Sequence, residues 1–564
     1  MSKNHSTRFK FGIVAVLLTL SLLLCACGSQ KADTPDKDKD QNTEQTIPAG
    51  VDLELIKDGE ANFEIVLPED PSETEQKAAE TLKARVKSAV STADAKIVSA
   101  GKYDEKKVEV LIGNTGYPES DAVLKNTGYG SATYKVVGHK LVVAAWFDDC
   151  YSNALIELYT LIRRGVVDGN LTVDGKTEYT SATIPNISAI PVYTGGVIAY
   201  TQETGTLTGS RADQITFSNT TKEQFEDYKK KLADSGFDTL QENTIGQNDF
   251  ISVSNGKKLV IAYHMGNLGE TRIIVENDRE LMQAPSTSYE TVCDTTLWQL
   301  GLEEERSDLA YRMNAYVIKL ADGRFIVHDT GTRAASSYIY NYLRDNTPEG
   351  EKIKIAAMII THPHTDHMYG LLEMEKLYTK DQLEIGAAYF NFGAKSMQTC
   401  YTPSRLGELW RDCENAAKAF GAKLYVARTG MKIEVANSVI EFLWTVDDYG
   451  TTIVEEYNDA SVVSRITVNG QNILFLGDHT EDPSLITMDM YKQELKSDMV
   501  TVAHHGMSGA EFEFYELVQP SIVFWPNRWY EEGFTRNEKL RAMECVKKHY
   551  LAGDGDVIVT LDTK

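Results

Sequence analysis

Thr361-His362-Pro363-His364-Thr365-Asp366-His367-Met368-Tyr369-Gly370 is the stretch on which the reading of this chain turns. Three imidazoles and a carboxylate fall within six residues, directly after the apolar run 355–360. That run, bounded by Lys354 and Thr361, reads as a buried strand. The histidines therefore sit on the loop leaving a strand, where side chains can converge on one point. Imidazole suits zinc and other first-row metals, and a carboxylate adds charge to hold a second ion. With eleven histidines in 564 residues, three in one hexapeptide form a cluster, not the ordinary content of a polar loop.

Working outward, the same device recurs. Residues 314–320, the turn Ala321-Asp322-Gly323 and residues 324–328 read as a hairpin ending in Asp329-Thr330-Gly331. A helix over 335–344 separates it from the 355–360 strand, and a second helix is expected over 368–378. Further on, 461–468 and 471–476 flank Asn469-Gly470, a hairpin turn, and lead to Gly477-Asp478. Thr501-Val502-Ala503 then runs into His504-His505-Gly506. Four apolar strands each end in a carboxylate or imidazole side chain: Asp329, His362, Asp478 and His504.

This H-x-H-x-D-H pattern, with the other three strand ends in that order, resembles the metallo-β-lactamase-fold hydrolases. The resemblance implies a C-terminal αββα sandwich over 289–564, with Asp329 orienting the site from behind and Asp478 bridging two metals. Asn458-Asp459-Ala460-Ser461-Val462, Leu476-Gly477-Asp478 and Ala503-His504-His505-Gly506 resemble the hydrolase domain of ComEC, the competence DNA-uptake channel, across about 295–562. No histidine lies between His367 and His479, so the third ligand-bearing histidine of many relatives is missing. The implied ligand sets are His362, His364 and Asp478 for one ion, and Asp366, His367, His504 and the shared Asp478 for the other. One or two divalent ions, Zn or Mn, are expected. His505 is the alternative to His504, since one of two consecutive residues at a strand end normally points inward. His479 faces either the cleft, as ligand or proton donor, or solvent. Asp366 and Asp329 are the catalytic candidates, Asp366 as ligand and proton acceptor for the attacking water.

The rest of the chain supplies an address and two smaller units. Arg8 and Lys10 precede the apolar run 11–24, too short for a membrane span of about 20 residues and suited to a secretory signal. Its ending, Leu24-Cys25-Ala26-Cys27-Gly28, looks like a bacterial lipobox, which makes 1–27 a lipoprotein signal peptide with lipid attached to Cys27. Residues 28–50 are charged and aperiodic, a disordered tether. Residues 51–190 pattern roughly as βαβββα, an α/β layer domain resembling the small domain that precedes the catalytic barrels of α-glucuronidases and hexosaminidases. Residues 191–288 read as a small α+β domain with a helix from Lys222 and a hairpin across Asn255-Gly256. Besides Cys27, five cysteines remain (Cys150, Cys293, Cys400, Cys413, Cys545), an odd number at spacings unlike a disulfide framework or thiolate metal site.

A formal net charge of -25 speaks against stable nucleic-acid coating, which needs a basic footprint. It leaves room for an enzyme that meets phosphate esters through metal ions. The expectation is an extracytoplasmic hydrolase, lipid-anchored to the bacterial cell membrane. It would cleave a small or polymeric phosphodiester, extracellular nucleic acid or a wall polymer, through metal-bound hydroxide. Cell-wall glycan is a further partner suggested by the front domain. The alternative is a non-catalytic carbohydrate-binding or scaffolding lipoprotein with a degenerate hydrolase fold, favoured by the missing histidine and opposed by retention of the other ligand positions.

Overall fold

The computed structural model describes residues 48–563 apart from 183, 278–285, 287, 398, 400, 401, 451 and 453. The signal peptide, Cys27, Cys400 and nearly all of the expected tether lie outside the described residues. Among the described residues no helix is long and apolar enough to cross a membrane.

The first unit is a six-stranded sheet in the order Lys96–Ser99, Glu64–Leu67, Glu109–Ile112, Lys140–Ala145, Ser131–Val137, Glu178–Ala182. Side chains alternate between its faces: Ile65, Val110 and Val143 meet helices Glu73–Ala89 and Tyr151–Gly165, while Val66, Leu111 and Val142 meet helix Pro118–Asn126. A capping box between Ser72 and Glu75 starts the first helix. Of this unit's sheet and helices the expected βαβββα order lacks the strands Lys96–Ser99 and Glu178–Ala182 and the helix Pro118–Asn126. The first of these strands has only two apolar residues, and the helix buries Glu119 and Ser120, so neither shows an apolar period.

Six antiparallel strands between Val197 and Asn277 form the second sheet, with Asn248–Ser254 and Lys258–Met265 paired across Asn255-Gly256 as expected. Phe225, Tyr228 and Leu232 of helix Lys222–Asp234 cover one face. The opposite face does not meet solvent. Phe250, Leu259, Ile261, Tyr263 and Ile274 continue into the apolar core of the C-terminal sandwich. At that junction Arg272 pairs with Asp448 at 2.6 Å and Arg428 with Asp447 at 2.6 Å, all four buried. Residue 289 thus separates two topologies but not two cores.

The sandwich consists of two seven-stranded sheets. One runs Lys423–Val426, Leu383–Phe390, Ile353–Ile360, Phe325–Thr330, Ala315–Lys319, Thr296–Gln299, Val557–Thr560. The other runs Lys432–Val435, Ser438–Trp444, Val463–Val468, Gln471–Phe475, Met499–Thr501, Ile522–Trp525, Lys548–Leu551. Tyr316, Ile326, Ile359, Phe442, Ile466 and Phe475 fill the space between the sheets. Helices Ala335–Asp345, Tyr369–Leu377 and Pro403–Ala419 cover the first sheet, and Glu481–Tyr491, Phe512–Val518 and Thr535–Arg541 the second. Burial on both faces explains why 355–360 is a continuous apolar run: Ile359 faces the partner sheet while Ile355 and Ile360 face the helices. At the middle of each sheet the pairing is parallel, Phe325–Thr330 with Ile353–Ile360 and Gln471–Phe475 with Met499–Thr501. Those four strands carry the candidate residues.

Candidate metal centre

The loop after Ile360 is pinned from behind by one carboxylate. Asp329, fully buried with φ 53°, accepts from the Thr361 backbone N–H, the Thr361 hydroxyl and His367 Nδ1, each at 2.8 Å. His364 closes the loop on itself, its carbonyl accepting from the N–H of His367 and Met368. Two glycines let backbone approach this close. A Cβ on Gly370 would stand 1.9 Å from the Thr330 carbonyl oxygen, and one on Gly477 (φ 53°) 2.9 Å from Thr361 Cβ.

Hydrogen bonds at the outer nitrogens aim the inner ones. His362 Nδ1 lies 3.1 Å from both the Thr361 and Ser461 hydroxyls, which turns Nε2 inward. The Asp329 carboxylate holds the proton of His367 on Nδ1, and the Pro526 carbonyl, 3.1 Å away, does the same for His505. His364 presents Nδ1 instead, 3.0 Å from His362 Nε2. Two donor groups result: His362, His364 and Asp478, and Asp366, His367 and His505. Asp478 stands between them, its Oδ1 3.1 Å from His367 Nε2 and 3.4 Å from His505 Nε2, its Oδ2 3.6 Å from His362 Nε2.

These groups fit divalent cations on two counts. His367 Nε2, His505 Nε2 and Asp478 Oδ1 are buried and turned toward one another and Asp366, with no other partner among the described residues, an arrangement that a shared cation would satisfy. Two donors about 2.1 Å from one tetrahedral ion stand roughly 3.4 Å apart, and the separations here run from 3.0 to 3.6 Å. The electrostatics point the same way. Burial opposes charge on every group, yet Asp478 and Asp329 hold the His367 imidazole well above its usual range. Asp478 and Asp366 likewise lift His505 to about 9 against its burial. Burial also works to raise the Asp366 carboxyl, but the His505 hydrogen bond and the charges of His367 and His505 bring it down to about 2. His362, by contrast, is pushed well below its range by burial and by the charge on His367. The pocket has an excess of carboxylate that calls for positive charge.

Residues 311–506 match the Metallo-beta-lactamase superfamily. That stretch is a metallo-beta-lactamase superfamily domain. The chain is similar to the solved structure of a variant CmlA beta-hydroxylase, at 12% identity over 48% of this chain and 55% of that one, with a TM-score of 0.30. It therefore spans about half of the hydroxylase's length. It is similar also to Zn(2+)-bound PqqB from Methylobacterium extorquens, at 13% identity, 47% and 100% coverage and a TM-score of 0.30. A third likeness is to the metallo-beta-lactamase FIM-1 from Pseudomonas aeruginosa in its mono-zinc form, at 14% identity, 42% and 94% coverage and a TM-score of 0.24. No curated protein matches the chain.

Within the metallo-beta-lactamase superfamily domain, His362, His364, Asp366, His367 and Asp478 come together, and Asp329 stands behind them without facing the cleft. His504 and His505 require a correction. His505, 1% exposed, joins Asp366 and His367, whereas His504 stands on the other side of Asp478. The reason is conformational: the strand ends at Thr501, and both histidines take left-handed backbone (φ 48° and 54°), so strand alternation does not govern them. His479 is neither ligand nor solvent-facing. It is buried against Trp444 and Phe514 with Nε2 3.0 Å from the Thr487 hydroxyl, and burial lowers its imidazole to about 3. Ser461 and Asn458 enter the site unforeseen as individual residues, although both lie in the 458–462 stretch that carried the likeness to ComEC.

Proposed function

We propose that the domain is a metal-dependent hydrolase acting on a phosphodiester. The observation that carries the metal reading is the convergence of His367 Nε2, His505 Nε2 and Asp478 Oδ1, buried and turned on one another. His362, His364 and Asp478 would hold one ion, and Asp366, His367, His505 and Asp478 the other. Bound divalent cations lower the pKa of water from about 16 to about 7 and offset charge on phosphoryl oxygens. Asp366, 22% exposed at the open side of the pocket, is placed to take the proton of the attacking water. His505 steadies that carboxylate from 3.3 Å, and Asp329 fixes the His367 ring. The phosphodiester reading rests on the likeness to ComEC, which favours extracellular nucleic acid, whereas a wall polymer suits the lipoprotein address and the likeness of the front domain to that of sugar-cleaving enzymes.

Metal content of the purified full chain, with hydrolysis of bis-p-nitrophenyl phosphate in added Zn or Mn, tests the reading. The parent is expected to carry metal and turn over, and Asp366→Ala to lose activity while keeping the fold. A parent free of metal and without turnover refutes it and favours a non-catalytic scaffold, and a fully active Asp366→Ala refutes the role given to Asp366. The extracytoplasmic location rests on Arg8, Lys10 and the apolar run 11–24, and the lipid anchor on Leu24-Cys25-Ala26-Cys27. Cys27→Ala should abolish lipid labelling, and persistent labelling would refute that address.

A further inference from the structure

The carboxylate of Asp478 is surrounded more evenly than the two donor groups suggest. Its Oδ1 has His367 and His505 beside it. Its Oδ2 has His362 at 3.6 Å and, at 3.8 Å, His504 Nε2. Two adjacent left-handed residues are rare for side chains other than glycine, and here they send consecutive imidazoles to opposite sides of one carboxylate. His504 is held in that pose: its backbone N–H donates to the Gly477 carbonyl, and Nδ1 lies 2.9 Å from the Ser508 hydroxyl. The remaining nitrogen therefore looks inward.

A second observation comes from Asn458, 4% exposed. Its Nδ2 stands 3.3 Å from His504 Nε2, long for a hydrogen bond to nitrogen. Its Oδ1 is buried and, among the described residues, meets no hydrogen-bond donor in good geometry. A buried amide oxygen without a partner is destabilising. A cation beside His364 and His504 would satisfy it.

We propose that His504 is the fourth donor of the His362–His364–Asp478 group, with the Asn458 amide oxygen turned toward the same ion. The consecutive histidines are then divided between the two ions, and His504 does the work of the histidine missing between His367 and His479. This rests on the metal reading above and concerns only how the ions are held.

Calorimetric zinc titration of metal-stripped protein, together with the visible spectrum of the cobalt-loaded form, tests it without reference to turnover. The parent should take up two ions. His504→Ala should weaken one of them by more than the roughly 10–100-fold expected for loss of a mere supporting hydrogen bond. Its other ion should be bound as in the parent. His505→Ala should show the converse, and the cobalt bands lost in the two variants should differ. Asn458→Ala should weaken the same ion as His504→Ala, by less. If His504→Ala does not fold, His504→Gln provides the same measurement. A His504 variant that binds both ions with parental affinity and spectrum overturns the proposal while leaving the metal reading intact. A parent that takes up no zinc overturns both.

Discussion

Asp329→Asn separates the orientation of an imidazole from the integrity of the fold. Its amide keeps the size of the carboxylate and, like aspartate, tolerates the left-handed φ of 53°. The oxygen facing the Thr361 N–H can still accept. The other position now carries hydrogens and faces both the Thr361 hydroxyl and His367 Nδ1. Two donors cannot share that contact, so the His367 proton moves to Nε2, the nitrogen that faces Asp478. A protonated Nε2 has no lone pair for a cation. Zinc affinity of the Asp366–His367–His505 group should fall roughly 10–100-fold, as for loss of a hydrogen-bonding partner behind a ligand. Asp329→Ala differs in kind. It strands the Thr361 N–H and His367 Nδ1–H at about 1–3 kcal/mol each, the Thr361 hydroxyl turning to His362 Nδ1, and puts alanine in left-handed backbone, together on the order of 3–8 kcal/mol. That corresponds to a melting temperature lower by on the order of 10 °C. Zinc titration and thermal unfolding by circular dichroism should therefore rank the variants oppositely, asparagine affecting mainly the metal and alanine the fold. Parental zinc affinity in Asp329→Asn would refute the orienting role.

Two further outcomes are expected. Asp448→Ala leaves the buried Arg272 guanidinium with Glu270 alone and takes the acceptor from the buried Tyr263 hydroxyl at the junction of the middle sheet and the sandwich, and should cost on the order of 1–3 kcal/mol by urea unfolding. A loss below 1 kcal/mol would mean that water reaches the junction. His328, stacked on Phe475 with Nε2 3.0 Å from the Ser464 hydroxyl, is lowered by burial from 6.5 to about 4. Because the folded value lies below the unfolded one, its contribution is complete above pH 6.5 and is lost as pH falls toward 4, up to about 3 kcal/mol. His328→Phe should reduce the loss of stability between pH 7 and 5 relative to the parent, and an unchanged loss would place the acid sensitivity elsewhere.

The sandwich and most of the candidate site were legible because the same local event writes each part of them. An apolar strand, buried on both faces, ends abruptly in a polar residue, and Asp329, His362 and Asp478 each mark such an end. Where the backbone leaves the strand before the functional residue, the alternation rule fails, and the pair His504 and His505 was misread for that reason. His479 follows Asp478 directly, yet its imidazole lies among Trp444 and Phe514. Nothing in a sequence distinguishes a polar residue with one buried partner, Thr487 here, from one that faces a cleft. The docking of the middle sheet was invisible for a different cause. Phe250, Leu259 and Ile261 look like half of an ordinary two-faced sheet, and which body covers the second face is decided by residues some two hundred positions away.

That docking limits how this hydrolase domain could have been passed between proteins. Recombination at residue 289 would hand a recipient the carboxylates of Asp447 and Asp448 with Arg428 still present but Arg272 left behind, and an apolar wall with nothing against it. The middle sheet is thus part of the inheritable unit. A search for this protein's kin should expect the strands Val197–Thr204 to Glu270–Asn277 to travel with the metal loop, and the front domain to be the piece that is exchanged.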